Sequence, residues 1–158
     1  MSLKLAPRFE NGKAFVIAGS RQHYRPETMS GMAAQWERFM PRIGNIPGQV
    51  DRVAYGTCFT GTDGIDYLAG VEVVDTSKTP KDLASVHIPA QRYAVFSHKG
   101  HVGTLHGTLE AIGSNWQSAW GRKKKPVKGA PDFFERYGEG FDPKTGKGDI
   151  EVWMPVES

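Results

Sequence analysis

Cysteine is nearly absent from this chain of 158 residues; Cys58 stands alone. One thiol forms neither an internal disulfide nor a cysteine-built metal site. Thr57 and Phe59 beside it read as strand, which points to a packed thiol rather than a reactive one. Long apolar runs are missing as well. None approaches the roughly 20 residues that cross a bilayer, and Met1–Phe9 holds no apolar stretch of signal-peptide length. A reducing, cytoplasmic setting is the expectation. There is no Walker or dinucleotide glycine loop and no Gly-x-Ser-x-Gly elbow, so no nucleotide cofactor is expected. Charge of one sign is in small excess. The net charge is +3, with much of it in Arg122-Lys123-Lys124-Lys125 and Lys128. A local excess on one loop is not the broad basic face of a nucleic-acid reader, so direct DNA binding is not expected. His98, His101 and His106 lie close together. No carboxylate or cysteine stands at ligand spacing from them, so they read as locally hydrogen-bonded or solvated rather than as a metal site.

What is present is an ordinary globular balance, 39% apolar and 23% charged. The length fits one domain, residues 1–158. Within it a pattern occurs twice, about residues 10–75 and 84–156. Lys13–Gly19 is apolar and strand-like, and the polar stretch Ser20–Thr28 follows. Met32, Trp36, Phe39 and Ile43 then fall on one helix face, with Pro41 set to end or kink that helix. Val53–Thr60 and Tyr67–Val74 read as strands joined by a turn at Gly61-Thr62-Asp63-Gly64. After a polar linker, Thr76–Asp82, the order returns. Ser85–His98 reads as one long strand interrupted at Pro89, where an edge or bulge is expected. Leu105, Leu109, Ile112 and Trp116 form the second helical stripe. Phe133–Phe141 and Ile150–Val156 close the half as strands. Tyr55-Gly56-Thr57-Cys58-Phe59 and Tyr137-Gly138-Glu139-Gly140-Phe141 share Tyr-Gly-x-x-Phe after each helix. The prediction is an α+β fold: duplicated β-α-β-β units in one antiparallel sheet, with two main helices on one face and a groove between them.

Several short boxes in the second half carry a family resemblance. They are Tyr93-Ala94-Val95-Phe96-Ser97-His98-Lys99-Gly100-His101, a helix ending near Trp116, Pro131-Asp132-Phe133-Phe134-Glu135-Arg136-Tyr137, and Asp149-Ile150-Glu151-Val152-Trp153-Met154-Pro155-Val156. In this order they resemble the gyrase-inhibitor-like effector-binding domains of bacterial transcription regulators. The resemblance is good over about Ser85–Val156 and looser over Lys13–Val74. It implies the duplicated fold and an aromatic-lined pocket with one acidic residue facing cationic, hydrophobic ligands. Regulators join this domain to a helix-turn-helix. With Lys13 already opening the pattern and only Glu157 and Ser158 after it, a stand-alone member is expected.

Glu135, between Phe133, Phe134 and Tyr137, is the candidate acid. Spacing alone leaves it either solvent-facing beside Arg136 or buried and able to hold a cation; the resemblance favours the second. Trp36 and Trp116, one on each helical stripe, are core or pocket wall. Tyr55 and Tyr137 are core or pocket rings with a hydroxyl to offer. Trp153 shares a strand face with Glu151, opposite Val152 and Met154, and the resemblance favours it as pocket lining. The leading expectation is therefore a small-molecule effector-binding protein for a hydrophobic, cationic ligand held by Glu135 and these rings. Two rivals share the sequence. One is a hydrolase of a small electrophile, with Glu135 as general base. The other is a protein-interaction module acting on a topoisomerase-like partner.

Overall fold

The computed structural model describes residues 6–119 and 127–157. The basic run Arg122–Lys125 and Trp120 lie outside the described residues. The strands are β1 (Arg8–Gly12), β2 (Phe15–Tyr24), β3 (Gln49–Thr60), β4 (Ile65–Val73), β5 (Ala84–Ile88), β6 (Gln91–His98), β7 (Phe133–Tyr137) and β8 (Ile150–Val156). The helices are α1 (Met32–Phe39) and α2 (Leu105–Ala119). All eight strands join one antiparallel sheet in the order β1-β6-β8-β7-β3-β4-β2-β5. No helix among the described residues is long and apolar enough to cross a membrane.

Exchanging β1–β4 for β5–β8 turns this strand order into its own reverse. The two halves therefore meet at the central β3–β7 pair, where Gly56 lies opposite Glu135. Each half also carries a leading strand beyond the β-α-β-β pattern, and that strand crosses to the other half. β1 pairs with β6, and β5 pairs with β2. Ser85–His98 is accordingly two strands, not one bulged strand. Pro89 sits in the connection that sends β5 and β6 to separate parts of the sheet, consistent with its lack of an N–H for a ladder.

Side chains alternate across the sheet with period two. One face carries Val16, Ala18, Ala54, Cys58, Tyr67, Ala69, Val71, Ala94, Phe96, Tyr137, Val152 and Met154, and both helices pack on it. Leu105, Ile112 and Trp116 of α2 are buried there against the β6–β8 half. Burying such side chains stabilises by about 1.5–3 kcal/mol each. α1 covers the β2–β4 half with Phe39, which is buried, and Met32 and Trp36 packed alongside. Pro41 lacks the N–H that would continue the α-helix, and the chain tightens into a 3-10 turn at Met40–Arg42. One polar residue fixes α1 more firmly than its short stripe suggests. Gln35 is fully buried, donates from Nε2 to the Ser20 carbonyl at 2.7 Å and accepts from Tyr24 Oη at 2.6 Å.

The opposite, helix-free face is an aromatic cluster. Tyr93 lies 5.2 Å from Trp153, and Phe134 stacks on Trp153 at 5.5 Å. Tyr55 meets Phe134 at 5.7 Å and Phe15 at 5.4 Å. Phe15 on β2 also reaches Phe134 on β7, two strands lying between them, so the sheet curls strongly toward this face.

Candidate functional site

β7 crosses the middle of the sheet with Phe133, Glu135 and Tyr137 on the helix-bearing face. The paired positions on β3 are Cys58, Gly56 and Ala54. Small or slender residues on β3 thus leave space over the sheet centre, between the half covered by α1 and the half covered by α2. Glu135 occupies that space and is only 5% exposed.

Three side chains from three elements build its surroundings. Tyr67 Oη, from β4, donates to Glu135 Oε1 at 2.7 Å. Tyr137 Oη, two residues along β7, donates to the same oxygen at 2.9 Å. Trp36 Nε1, from α1, donates to Tyr67 Oη at 3.0 Å. The rings enclose the carboxylate edge to face, with Trp36 5.4 Å from Tyr137 and 6.4 Å from Tyr67. Phe141 stands 5.1 Å from Tyr137 on the outer side. Oε1 is therefore saturated by two phenols, while Oε2 accepts no hydrogen bond among the described residues. No lysine, arginine or histidine among them forms an ion pair with Glu135.

The electrostatics follow from that geometry. Burial pushes the Glu135 carboxyl above its ordinary value, and the hydrogen bonds from Tyr67 and Tyr137 pull partly back by favouring the charged form. Burial, then the adjacent carboxylate, pushes both phenols well above the ordinary tyrosine value. They stay protonated donors at neutral pH. Cys58, on the same face of β3, is driven well up by burial and by Glu135, so its thiol is not a nucleophile at neutral pH.

Of the residues singled out from sequence, Glu135, Tyr137 and Trp36 come together here. Trp116 is buried in the core under α2, tilted against Phe96 at 6.0 Å. Tyr55 and Trp153 are not brought to Glu135. Tyr55 pairs with Arg136 and Trp153 with Phe134, positions one residue out of phase with Glu135, so both project from the helix-free face. The shared Tyr-Gly-x-x-Phe motif therefore does not mark equivalent tyrosines. Tyr67 and Gly56 complete the site and were missed. Tyr67 lies at the start of an apolar strand, in phase with Ala69 and Val71, and that phase is the signal that places it on the helix-bearing face. Elsewhere, His98 is held between the His101 carbonyl, 2.9 Å from Nε2, and Thr108 Oγ1, 2.6 Å from Nδ1, while His106 pairs with Glu110 at the surface. No three metal-ligating side chains converge among the described residues.

An aromatic-walled acidic residue at the junction of two sheet halves is the kind of place where small-molecule-binding domains hold their ligands. The chain belongs to the GyrI-like small molecule binding domain family, whose model it matches over residues 5–157. It is 32% identical over 123 residues to the transcriptional regulator BrlR of Pseudomonas aeruginosa, a match covering 77% of this chain and 44% of BrlR. The chain thus spans less than half the length of that regulator. In fold it is similar to SAV2435 in its structure bound to tetraphenylphosphonium, with TM-score 0.76, 21% identity, and 97% and 94% of the two chains covered. It is also similar to the C-terminal domain of EcmrR, with TM-score 0.64, 12% identity and 99% of each chain covered. The domain is thereby related to the ligand-binding domains of transcription regulators.

Proposed function

We propose that this domain binds an organic cation with apolar bulk at Glu135. The observation that carries the reading is a buried carboxylate with two phenol donors and no basic partner among the described residues. An ion removed from water without a counter-charge costs several kcal/mol. A cation entering beside Oε2 supplies that counter-charge, and the half-buried Trp36 offers ring surface for its apolar and cation–π contacts. SAV2435 binding tetraphenylphosphonium on a similar fold supports the same chemistry. The hydrolase reading finds less support. Its carbonyl-polarising donor would have to be a nearby phenol or indole, and the Tyr67, Tyr137 and Trp36 protons are already committed.

The test is calorimetric titration with tetraphenylphosphonium and with neutral triphenylphosphine oxide, for wild type and Glu135→Gln. The wild type should take the cation in preference to the neutral compound, and the variant should lose that preference. Equal binding of the cation by both proteins would sink the reading.

A further inference from the structure

The geometry points to Gly56 as the residue that sets the ligand preference of this site: the missing side chain there lets Tyr67 and Glu135 meet above β3. A Cβ built on Gly56 would collide with the Tyr67 hydroxyl, lie 2.6 Å from Glu135 Oε1 and 2.7 Å from Tyr67 Cζ. Contacts under about 3.0 Å are not sustained by real Cβ atoms, so one of the two groups would have to leave. Neither has free room. Tyr67 is fully buried, with its ring edge against Trp36, and Glu135 sits directly across the β3–β7 pair from Gly56. Backbone conformation is not the reason for glycine here, because Gly56 has no positive φ and lies within a regular ladder. The reason is the close approach of the two side chains.

The consequence concerns which oxygen faces the ligand. With Gly56 present, Tyr67 and Tyr137 both hold Oε1, and the carboxylate presents Oε2 in one fixed orientation. The phenol protons are used up in doing so. The site then offers a guest a localised negative charge and ring faces, but no free hydrogen-bond donor from either tyrosine. A guest that must accept hydrogen bonds, such as an anion or a neutral carbonyl compound, finds nothing to match it. With a methyl group at position 56, Tyr67 is displaced, one donor to Oε1 is lost, and its phenol becomes available. The site should then bind cations less tightly and discriminate less against neutral acceptors. Gly56 acts through Tyr67 and Glu135, as a positioning residue.

The experiment compares wild type, Gly56→Ala, Tyr67→Phe and a control, Gly107→Ala. At Gly107, on α2, an added Cβ meets no heavy atom within 4 Å. The first readout is the titration of the Glu135 carboxyl by carbon NMR on the unliganded proteins. Losing the Tyr67 donor removes a bond that favours the charged form, so Gly56→Ala and Tyr67→Phe should both titrate at higher pH than wild type, and Gly107→Ala should not. The second readout is the affinity ratio of tetraphenylphosphonium to triphenylphosphine oxide, expected to fall roughly tenfold in the same two variants, about the effect of one hydrogen bond to a charged group. This second readout rests on the cation-binding reading above; the first does not, so the two can fail separately. A Gly56→Ala protein that titrates like wild type overturns the assignment. Should Gly56→Ala fail to fold, Gly56→Ala with Tyr67→Leu, which clears the phenol from the collision, must restore folding. Its failure to do so would equally overturn the assignment.

Discussion

The two faces of this sheet bury tyrosines to opposite ends. On the helix-bearing face, Tyr67 and Tyr137 turn their hydroxyls inward onto one carboxylate oxygen. On the helix-free face, Tyr55 and Tyr93 give their rings to a cluster with Phe134 and Trp153. The Tyr93 hydroxyl is met by Gln91 Nε2 at 2.9 Å. The charges around that cluster are also balanced. Glu151 takes Arg8 at 2.8 Å and Arg136 at 3.6 Å, and Trp153 Nε1 donates to it at 3.1 Å. Aromatic burial is thus common to both faces and does not by itself mark a site. What distinguishes the helix-bearing face is an acid that has no counter-charge among the described residues.

The comparison can be broken from the stable side. Phe134→Ala removes the ring shared by four aromatic neighbours and should cost about 3–5 kcal/mol, read by urea unfolding. Cation affinity in the fraction that stays folded should be unchanged, because Phe134 faces away from Glu135. From the other side, Glu135→Gln should cost about 2 kcal/mol or more of tetraphenylphosphonium binding. The same change should not lower the melting temperature of the free protein, since it removes a buried charge. An unfolded Glu135→Gln protein would show that the carboxylate is structural.

Acidity sharpens the contrast further. Burial raises the Glu135 pKa in the folded state, so between its ordinary value of 4.5 and that raised value the native protein holds the extra proton. Stability from this group is therefore present at low pH and lost as pH rises through the raised value. Cation affinity runs the other way, because only the charged form attracts the ligand. As pH falls, affinity should begin to drop above the usual carboxylate range, by up to about tenfold per unit. Affinity and unliganded stability moving together would contradict the assignment. The smallest effect belongs to Thr57, whose buried Oγ1 has no hydrogen-bond partner among the described residues and which pairs with Phe134. Thr57→Val should raise stability by about 1 kcal/mol and leave the ligand site untouched.

How much of this was legible in the sequence differs by element. Both helical stripes were readable because Met32, Trp36 and Phe39, and Leu105, Leu109, Ile112 and Trp116, recur at helical spacing, although Ile43, expected on the first helix face, lies instead in extended backbone beyond the 3-10 turn that follows α1. Gln35 was not, since a buried amide carries no periodic signal and is placed only by the Ser20 carbonyl and Tyr24 it meets. β1 went unseen because Arg8–Gly12 has a single large apolar residue, and its pairing with β6 is what makes it a strand. Likewise Ser20–Tyr24 reads as a loop, yet β2 runs through it because Arg21 and His23 find Asp66 on β4. Glu135 was located through its resemblance to a known box. Tyr55 and Tyr137 read alike as core or pocket rings, yet only Tyr137 reaches Glu135, and in the first motif the residue opposite Glu135 is Gly56. Cross-strand register decides such matters, and one residue of slip exchanges the faces.

The exchanged leading strands have a consequence for how this molecule is made. β1 precedes the other seven strands along the chain but finds its neighbour only in β6, beyond the midpoint of these 158 residues. The free side of β2 is closed by β5, after the first half is otherwise complete. Neither half can finish its own sheet, so most ladder contacts at the rims are long-range, a class that slows folding. Cutting the connection between β4 and β5 would leave two fragments, each bearing a strand that belongs to the other. Such fragments are suited to reassemble by mutual strand exchange, as a split protein does.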